Sequence, residues 1–302
     1  MKVLVAGGTG FIGTPLCRSL AQQGHELLVL TRAPERQRSP SAAIRFLSWE
    51  SDAWRRALGG TAAVVNLAGE PLIGRRWSPS QKAKLRESRV QATRRIVEAI
   101  ASATPARPAV LVNASAIGYY GPHEDEELHE TDAPGRGFLA ELCEQWEEEA
   151  QRAEALGVRV VRLRLGLVLS RDGGALASMV PPFYWFVGGP LGSGRQWGSW
   201  VHRDDVIGLV EWALAHEAVT GAMNATAPAP VTMRSFCREL GQILRRPSWA
   251  PAPGFMLRAM LGEMAEMVLT GQRVLPTAVR ASGFTFRYPE LPGALDACLR
   301  AA

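Results

Sequence analysis

Cysteine is scarce in this chain, and its few copies lie far apart. The 302 residues include four cysteines, which are Cys17, Cys143, Cys237 and Cys298. None of them belongs to a CxxC pair or lies at metal-ligand spacing from a histidine. We therefore expect reduced thiols, in the core or at the surface, and no metal site.

Long apolar runs are also missing. The longest lies near residues 179–189, where Pro181 and Pro182 interrupt it, and it is too short to span a bilayer. A predicted strand starts at the third residue, so we expect no signal or transit peptide ahead of it. These absences favour a cytoplasmic protein that does not use a membrane as a partner.

Neither sign of charge is in large excess. The chain has 34 Lys and Arg residues against 29 Asp and Glu residues, a net charge of +5 that is spread over separate elements. Nucleic acid is therefore not an expected partner, and the phosphates of a small cofactor account better for some of the arginines. A composition with 47% hydrophobic residues is that of a globular protein.

Glycine, by contrast, is concentrated at the start of the chain. Residues 3–5 predict a buried strand, residues 14–23 predict a helix, and a G-x-x-G-x-x-G turn lies between them. In such a turn no side chain blocks a pyrophosphate, and the helix N-terminus adds a partial positive charge. The pattern predicts a dinucleotide site formed by Gly7, Gly10, Phe11, Ile12 and Gly13.

The end of the second predicted strand, residues 25–30, indicates which dinucleotide binds. NAD sites carry an acidic residue there, which accepts hydrogen bonds from the adenosine ribose. This chain has Thr31 and Arg32 instead, and both suit a 2′-phosphate. We predict NADP in preference to NAD; the alternative is that Arg32 is only a solvated side chain at a strand end.

Strands and helices alternate through the first 169 residues. Further strands are predicted at residues 44–49, 62–65, 109–112 and 158–169, and long helices at residues 80–103 and 138–156. Residues 147–149, all glutamate, are expected to face solvent. This alternation predicts an α/β fold with a doubly wound parallel sheet of the Rossmann type.

We predict two regions. Residues 1–169 form the NADP-binding Rossmann domain, to which a short strand at about residues 222–226 can contribute. Residues 170–302 form a smaller substrate-side α/β region, because glycine- and proline-rich loops are common from residue 170 onward. Helices are predicted in this region at residues 232–245, 255–269 and 291–299.

Further motifs support a family resemblance. They are NLAGEP at 66–71, RRW at 75–77, SRV at 88–90, SAIGYYG at 115–121, GGPLGSGRQW at 188–197, VHRDDV at 201–206 and GQRVLPTAVRASGFTFRYPEL at 271–291. With GGTGFIG, they make the chain resemble the extended short-chain dehydrogenase/reductases. More closely, it resembles their atypical, epimerase-like family, which ends in a small C-terminal domain of unknown function, here at about residues 250–302.

The resemblance covers nearly the whole chain and implies an NADP site. It places Thr31 and Arg32 at the 2′-phosphate. The small residues after the fourth strand also favour close approach of a ligand to the backbone. The further cofactor contacts implied are Asn66, Leu67, Ala68, Arg89 and Val168.

The chain departs from the dehydrogenase pattern where the proton chemistry should be. These enzymes use a Tyr-x-x-x-Lys pair, in which the lysine cation stabilises the phenolate. Leu139 and Cys143 stand at those positions. The remaining candidates for catalysis are Ser115, Tyr119 and Tyr120, and the alternative for both tyrosines is packing at a strand end.

Two functions therefore remain open. The first is an NADP(H)-dependent oxidoreductase or epimerase-like enzyme that transfers hydride to or from an unknown small molecule. The second is a sensor or regulatory protein that binds NADP(H) with little or no catalysis. On the substrate side, Arg195 is a candidate anion anchor, and His202 either donates to a substrate or supports its loop. We expect a monomer or a homodimer.

Overall fold

The structure, a computed structural model, describes residues 1–300, without the side chain of Arg300. Its strands are β1 (Lys2–Ala6), β2 (Glu26–Thr31), β3 (Ile44–Ser48), β4 (Ala63–Asn66), β5 (Val110–Ala116), β6 (Glu127–Leu128), β7 (Arg159–Leu165), β8 (Leu167–Ser170), β9 (Trp197–Gly198), β10 (Trp200–His202), β11 (Gly221–Ala225), β12 (Val231–Thr232) and β13 (Arg273–Val274). Its α-helices are α1 (Gly13–Gln22), α2 (Ala53–Leu58), α3 (Pro79–Arg86), α4 (Ala92–Ala101), α5 (Phe138–Gln151), α6 (Gly174–Tyr184), α7 (Arg203–Ala215), α8 (Met233–Leu244), α9 (Gly254–Leu261), α10 (Glu266–Leu269), α11 (Thr277–Ala281) and α12 (Leu291–Arg300).

Seven strands form one parallel sheet in the order β11, β7, β5, β4, β1, β2, β3. The inner strand β1 pairs with β2 on one side and β4 on the other, with Leu4 opposite both Leu28 and Val64. Because the chain leaves β1 in one direction and later returns to its other side, a crevice opens at the carboxyl end of β1. The α/β prediction of a doubly wound Rossmann sheet is confirmed.

Helices cover both faces of this sheet, which explains why its strands read as continuous apolar runs. Val3 and Val5 of β1 belong to the apolar core that contains Leu16 of α1 and Val210 of α7. Leu4, which points to the opposite face, belongs to a second core with residues of α2 and α4. The carboxyl end of β1 is therefore held rigidly between two buried layers.

Some predicted elements are divided in the structure. The run 158–169 is interrupted at Gly166, and β8 leaves the main sheet to pair with β10. A Cβ atom on Gly166 would lie 2.3 Å from the Ser199 carbonyl oxygen, so the two backbones approach closely there. The predicted helix 255–269 is interrupted at Gly262, whose φ of 63° is incompatible with a right-handed helix.

The C-terminal half packs around β8 and β10, with Phe183, Trp200 and Phe236 in its core. It is not separate from the first half, because β11 pairs with β7 in the main sheet and Met264 packs into the apolar cluster that includes Trp77. The domain boundary at residue 169 stays a prediction. Within residues 1–300, no helix combines the length and apolar character needed to cross a bilayer.

The expectation that residues 147–149 face solvent is wrong for two of the three glutamates. Glu147 is only 2% exposed and Glu149 only 4% exposed, whereas Glu148 is exposed. Arginines account for the burial: Arg164 donates to both carboxylate oxygens of Glu147, at 2.8 and 3.0 Å. Glu149 is paired at 2.5 Å with Arg94.

We predict that Glu147→Ala destabilises the fold strongly, because it leaves the buried charge of Arg164 without a partner. The expected loss in unfolding free energy is about 3–5 kcal/mol, the typical effect of removing one partner of a buried ion pair. Urea denaturation followed by circular dichroism measures it. Glu148→Ala on the same helix is the control, with an expected change within about 0.5 kcal/mol. Equal effects of the two substitutions would contradict the prediction.

Candidate functional site

The glycine turn lies at the carboxyl end of β1, between Ala6 and the first residue of α1. Gly7 has a φ of 76°, and a Cβ atom there would lie 2.5 Å from the Leu67 carbonyl oxygen. A Cβ atom on Gly13 would lie 2.1 Å from the Gly7 carbonyl oxygen. These close approaches require glycine, and they curl the backbone into a concave turn around the start of α1.

The turn offers hydrogen-bond donors to a ligand. Within residues 1–300, the amides of Phe11 and Ile12 have no acceptor, whereas the Gly10 amide donates to the Gly7 carbonyl at 3.0 Å. Unpaired amides at a helix N-terminus, together with the helix dipole, favour an anion. Gly10 itself, where a Cβ atom would meet only the Gly7 carbonyl oxygen, leaves the turn open. The residues therefore fit a dinucleotide pyrophosphate.

Thr31 and Arg32 follow at the end of the neighbouring strand β2. The Thr31 side chain is buried, and its Oγ1 accepts a hydrogen bond from the Ala33 amide at 3.4 Å. The Arg32 side chain is 89% exposed, and its Nη1 lies 3.8 Å from Oε2 of Glu70. Such an exposed ion pair contributes little free energy, so a phosphate can replace the carboxylate as the partner of Arg32.

The loop after β4 is shaped by Asn66. This fully buried side chain donates to Oδ1 of Asn113 at 2.7 Å and to Thr93 at 2.9 Å, and it accepts from the Ala68 amide at 3.2 Å. The polar atoms of the Asn66 side chain therefore form hydrogen bonds within the protein. Asn66 holds the loop, and the backbone of Leu67 and Ala68 is what approaches Gly7.

Arg89 lies on a π-helical turn, residues Glu87–Gln91, which joins α3 to α4. Turns of this kind insert one extra residue and are frequent at functional sites. Arg89 donates to the Glu70 carbonyl at 2.9 Å and lies under Gly69, and burial lowers its pKa. The SRV motif therefore fixes the NLAGEP loop. Val168 is in β8; a Cβ atom on Gly174 would lie 3.0 Å from the Val168 carbonyl oxygen and 3.2 Å from the Phe11 ring.

The two residues predicted to stand at the dehydrogenase acid/base positions, Leu139 and Cys143, are an apolar side chain and a buried thiol. Leu139 packs against Gly118 and joins the cluster that contains Met264. Cys143 is buried, and burial raises the pKa of its thiol to about 12, against the opposing effect of Arg89. At neutral pH neither side chain can take the part of a catalytic tyrosine or lysine.

Ser115 is directed into the protein. Its hydroxyl donates to Oε1 of Glu147 at 2.7 Å, and the residue is buried. Because a hydroxyl has a single proton, Ser115 cannot also donate to a substrate carbonyl in this arrangement. A catalytic role for Ser115 stays a prediction, and the geometry shows a framework contact.

The two tyrosines differ in exposure and share a cation. Tyr120 is fully buried; it donates to Asn224 at 2.7 Å and accepts from Arg164 at 2.9 Å, and burial raises its pKa to about 12. Tyr119 is half-buried, and the Arg164 Cζ atom lies 3.5 Å from its ring centre. Burial also raises the pKa of Tyr119, with Arg164 acting in the opposite direction.

Sequence reasoning missed Arg164. The signal was the pattern V-V-R-L-R-L, in which two arginines interrupt a strand that is otherwise apolar. A buried arginine needs acidic and hydroxyl partners, and Arg164 has them in Glu147 and Tyr120.

The two substrate-side candidates lie in different surroundings. The Arg195 side chain is in an exposed loop, where the backbone amide donates to Ser193. His202 is buried; its Nδ1 accepts from the Asp204 amide at 3.1 Å at the start of α7, and its ring lies 4.0 Å from that of Tyr288. Burial lowers the pKa of His202. Its contacts are those of a residue that supports its loop.

Within residues 1–300, no group of three or more His, Cys, Asp or Glu side chains could bind a metal ion.

The glycine turn, with the Phe11 and Ile12 amides at the start of α1, forms a candidate dinucleotide cradle at the switch point of the sheet. This arrangement is typical of nucleotide-binding proteins of the Rossmann class. Residues 3–225 match the NAD dependent epimerase/dehydratase family, and residues 252–298 match a domain of unknown function, DUF1731. The chain belongs to the NAD dependent epimerase/dehydratase family.

Similar proteins agree with this assignment over the whole length. An Arabidopsis thaliana protein named epimerase family protein SDR39U1 homolog, chloroplastic, is 45% identical over 99% of this chain and 87% of its own. The Bacillus subtilis epimerase family protein YfhF is 37% identical over 98% and 97% of the two chains. The crystal structure of human epimerase family protein SDR39U1 (isoform 2) with NADPH has a TM-score of 0.88 at 33% identity and covers 100% of both chains.

We predict that no cysteine of the native protein reacts rapidly with a disulfide reagent at pH 8. All four thiols are buried, and burial raises the pKa to about 12 for Cys17, Cys143 and Cys237 and to about 11 for Cys298. A raised pKa keeps each thiol protonated and therefore unreactive. Titration with a chromogenic disulfide should detect no fast thiol before denaturation and four after it. Rapid reaction of Cys143 would contradict the prediction, because it would show an accessible thiolate.

Proposed function

We propose that this protein binds NADP(H) and uses the nicotinamide for hydride exchange with a small molecule. The observation that carries the proposal is that the amides of Phe11 and Ile12, at the concave glycine turn, have no acceptor within the described residues 1–300. They would bind the pyrophosphate, while the carbonyl and amide of the loop at Leu67 and Ala68 lie against Gly7, on the path toward the ribose. The apolar core beneath the glycine turn keeps the geometry of the turn fixed.

The preference for NADP rests on Arg32. An exposed guanidinium at the end of β2 is free to form two parallel hydrogen bonds with a 2′-phosphate, and Glu70 is its only ion-pair partner within the described residues. The human relative that was crystallised with NADPH supports the same choice. NAD lacks the 2′-phosphate and would leave Arg32 paired only with Glu70.

The bound nicotinamide would supply the hydride. The chain would have to position the nicotinamide and supply the proton. Leu139 and Cys143 would give the nicotinamide an apolar wall that excludes water. Tyr119 is the better of the two tyrosine candidates for the proton, because Tyr120 and Ser115 already donate to Asn224 and Glu147. Otherwise the proton comes from water.

A second function is favoured by a specific observation. A protein that only senses NADP(H) needs the cradle and does not need an acid/base residue. Leu139 and Cys143 fill the acid/base positions with groups that stay neutral, and Arg164 is tied to Glu147 by two hydrogen bonds. The same chain can therefore serve as a redox-state sensor or a regulatory partner.

Arg32→Ala tests the choice of cofactor. We expect NADPH to bind about ten-fold to one-hundred-fold more weakly, because a charge-assisted contact with the 2′-phosphate is lost. NADH binding should not change. Titration followed by nicotinamide fluorescence measures both constants, and Arg36→Ala in the exposed loop that follows is the matched control. If wild-type protein bound NADH as tightly as NADPH, the role given to Arg32 would be wrong.

Turnover separates the two functions. A panel of carbonyl compounds and nucleotide sugars is incubated with the protein and NADPH, and the reduced-nicotinamide absorbance is followed. The enzyme function predicts loss of absorbance with one substrate class, and Tyr119→Phe should slow it about one-hundred-fold or more. Tyr184→Phe, at an exposed position on α6, is the control. Tight NADPH binding with no turnover across the panel would favour the sensor.

A further inference from the structure

A second cation reaches the glycine turn from the C-terminal half of the chain. Arg203 is the first residue of α7, and its Cζ atom lies 5.3 Å from the centre of the Phe11 ring. The Phe11 amide in this turn has no acceptor within residues 1–300. The contact therefore brings a guanidinium next to the site where the pyrophosphate is expected.

The approach of Arg203 depends on two glycines at the start of α6. A Cβ atom on Gly173 would lie 3.1 Å from the Phe11 ring, and one on Gly174 would lie 3.2 Å from it. Larger residues would displace the ring and the guanidinium beside it. Glycine at both positions lets the backbone after β8, the Phe11 ring and Arg203 form one packed contact.

Arg203 is incompletely paired in this contact. Its Nη2 donates to Oδ2 of Asp172 at 3.0 Å, while its Nε is buried and has no acceptor among residues 1–300. The side chain is 18% exposed. A buried N–H of a guanidinium without an acceptor is destabilising, so the arrangement is explained if an anion from outside the chain completes it.

We propose that Arg203 binds the pyrophosphate of NADP(H) together with the amides of Phe11 and Ile12. The inference rests on the proposed function and adds to it a cofactor residue from the C-terminal half. Asp172 competes for the same guanidinium when no dinucleotide is bound. Its side chain is 66% exposed and can turn to solvent when the pyrophosphate enters.

The test compares three ligands that differ in their phosphates. NADPH has a pyrophosphate and a 2′-phosphate, NADH has only the pyrophosphate, and 2′-AMP has only the 2′-phosphate. With Arg203→Met, both dinucleotides should bind about ten-fold to one-hundred-fold more weakly, to the same extent, while 2′-AMP is unaffected. Arg32→Ala should give a different pattern, because it weakens the binding of NADPH and 2′-AMP and leaves that of NADH unchanged. Calorimetric titration measures all of these constants.

Two further variants keep the test decisive if Arg203→Met also perturbs the fold. Asp172→Asn frees the guanidinium, so both dinucleotides should bind a few-fold more tightly. Arg287→Met removes an exposed arginine near Asp204 at the same end of α7, and it should leave every constant unchanged. Wild-type affinity of Arg203→Met for the dinucleotides, or an unchanged affinity in Asp172→Asn, would overturn the inference and leave the proposed function standing. A wild-type protein that binds neither dinucleotide would refute the proposed function itself.

Discussion

One buried ion pair, between Glu147 of α5 and Arg164 of β7, holds together the elements around the candidate catalytic positions. Arg164 also donates to the Tyr120 hydroxyl, which in turn donates to Asn224 of β11. Ser115 at the end of β5 donates to the same carboxylate. A buried pair stabilises only while both charges are matched and their remaining hydrogen bonds are made. The ends of β5, β7 and β11 therefore depend on α5 being in place, and α5 depends on them.

This pair decides what α5 can contribute to chemistry. Leu139, Cys143 and Glu147 are spaced by four residues and lie on one face of the helix. The sequence predicts that the first two stand at the positions of a dehydrogenase acid/base pair; the third pairs with Arg164. On this face Leu139 packs in an apolar cluster, Cys143 is buried, and Glu147 compensates the charge of Arg164 and accepts the hydrogen bond of the Ser115 hydroxyl.

The fold and the cradle could be predicted because their signals are local. Val3, Leu4 and Val5 are buried on both faces of the sheet, and the glycine spacing follows them directly. The burial of the Glu147 side chain could not be predicted from a run of three glutamates, because its partner Arg164 lies on a strand, β7, that comes later in the chain. The break at Gly166 was hidden for a similar reason, since the backbone it approaches, at Ser199, comes from a distant segment.

In the proposed function, the pyrophosphate site and the candidate proton donor depend on different elements. The pyrophosphate would bind the backbone amides of Phe11 and Ile12 and the guanidinium of Arg203 at the start of α7, whereas the Glu147–Arg164 pair joins α5 to β7. The half-buried Tyr119 lies against Arg164, but Glu147 compensates that cation, and burial keeps the pKa of the phenol raised. If Tyr119 supplies the proton in the proposed function, it does so without an uncompensated cation beside it.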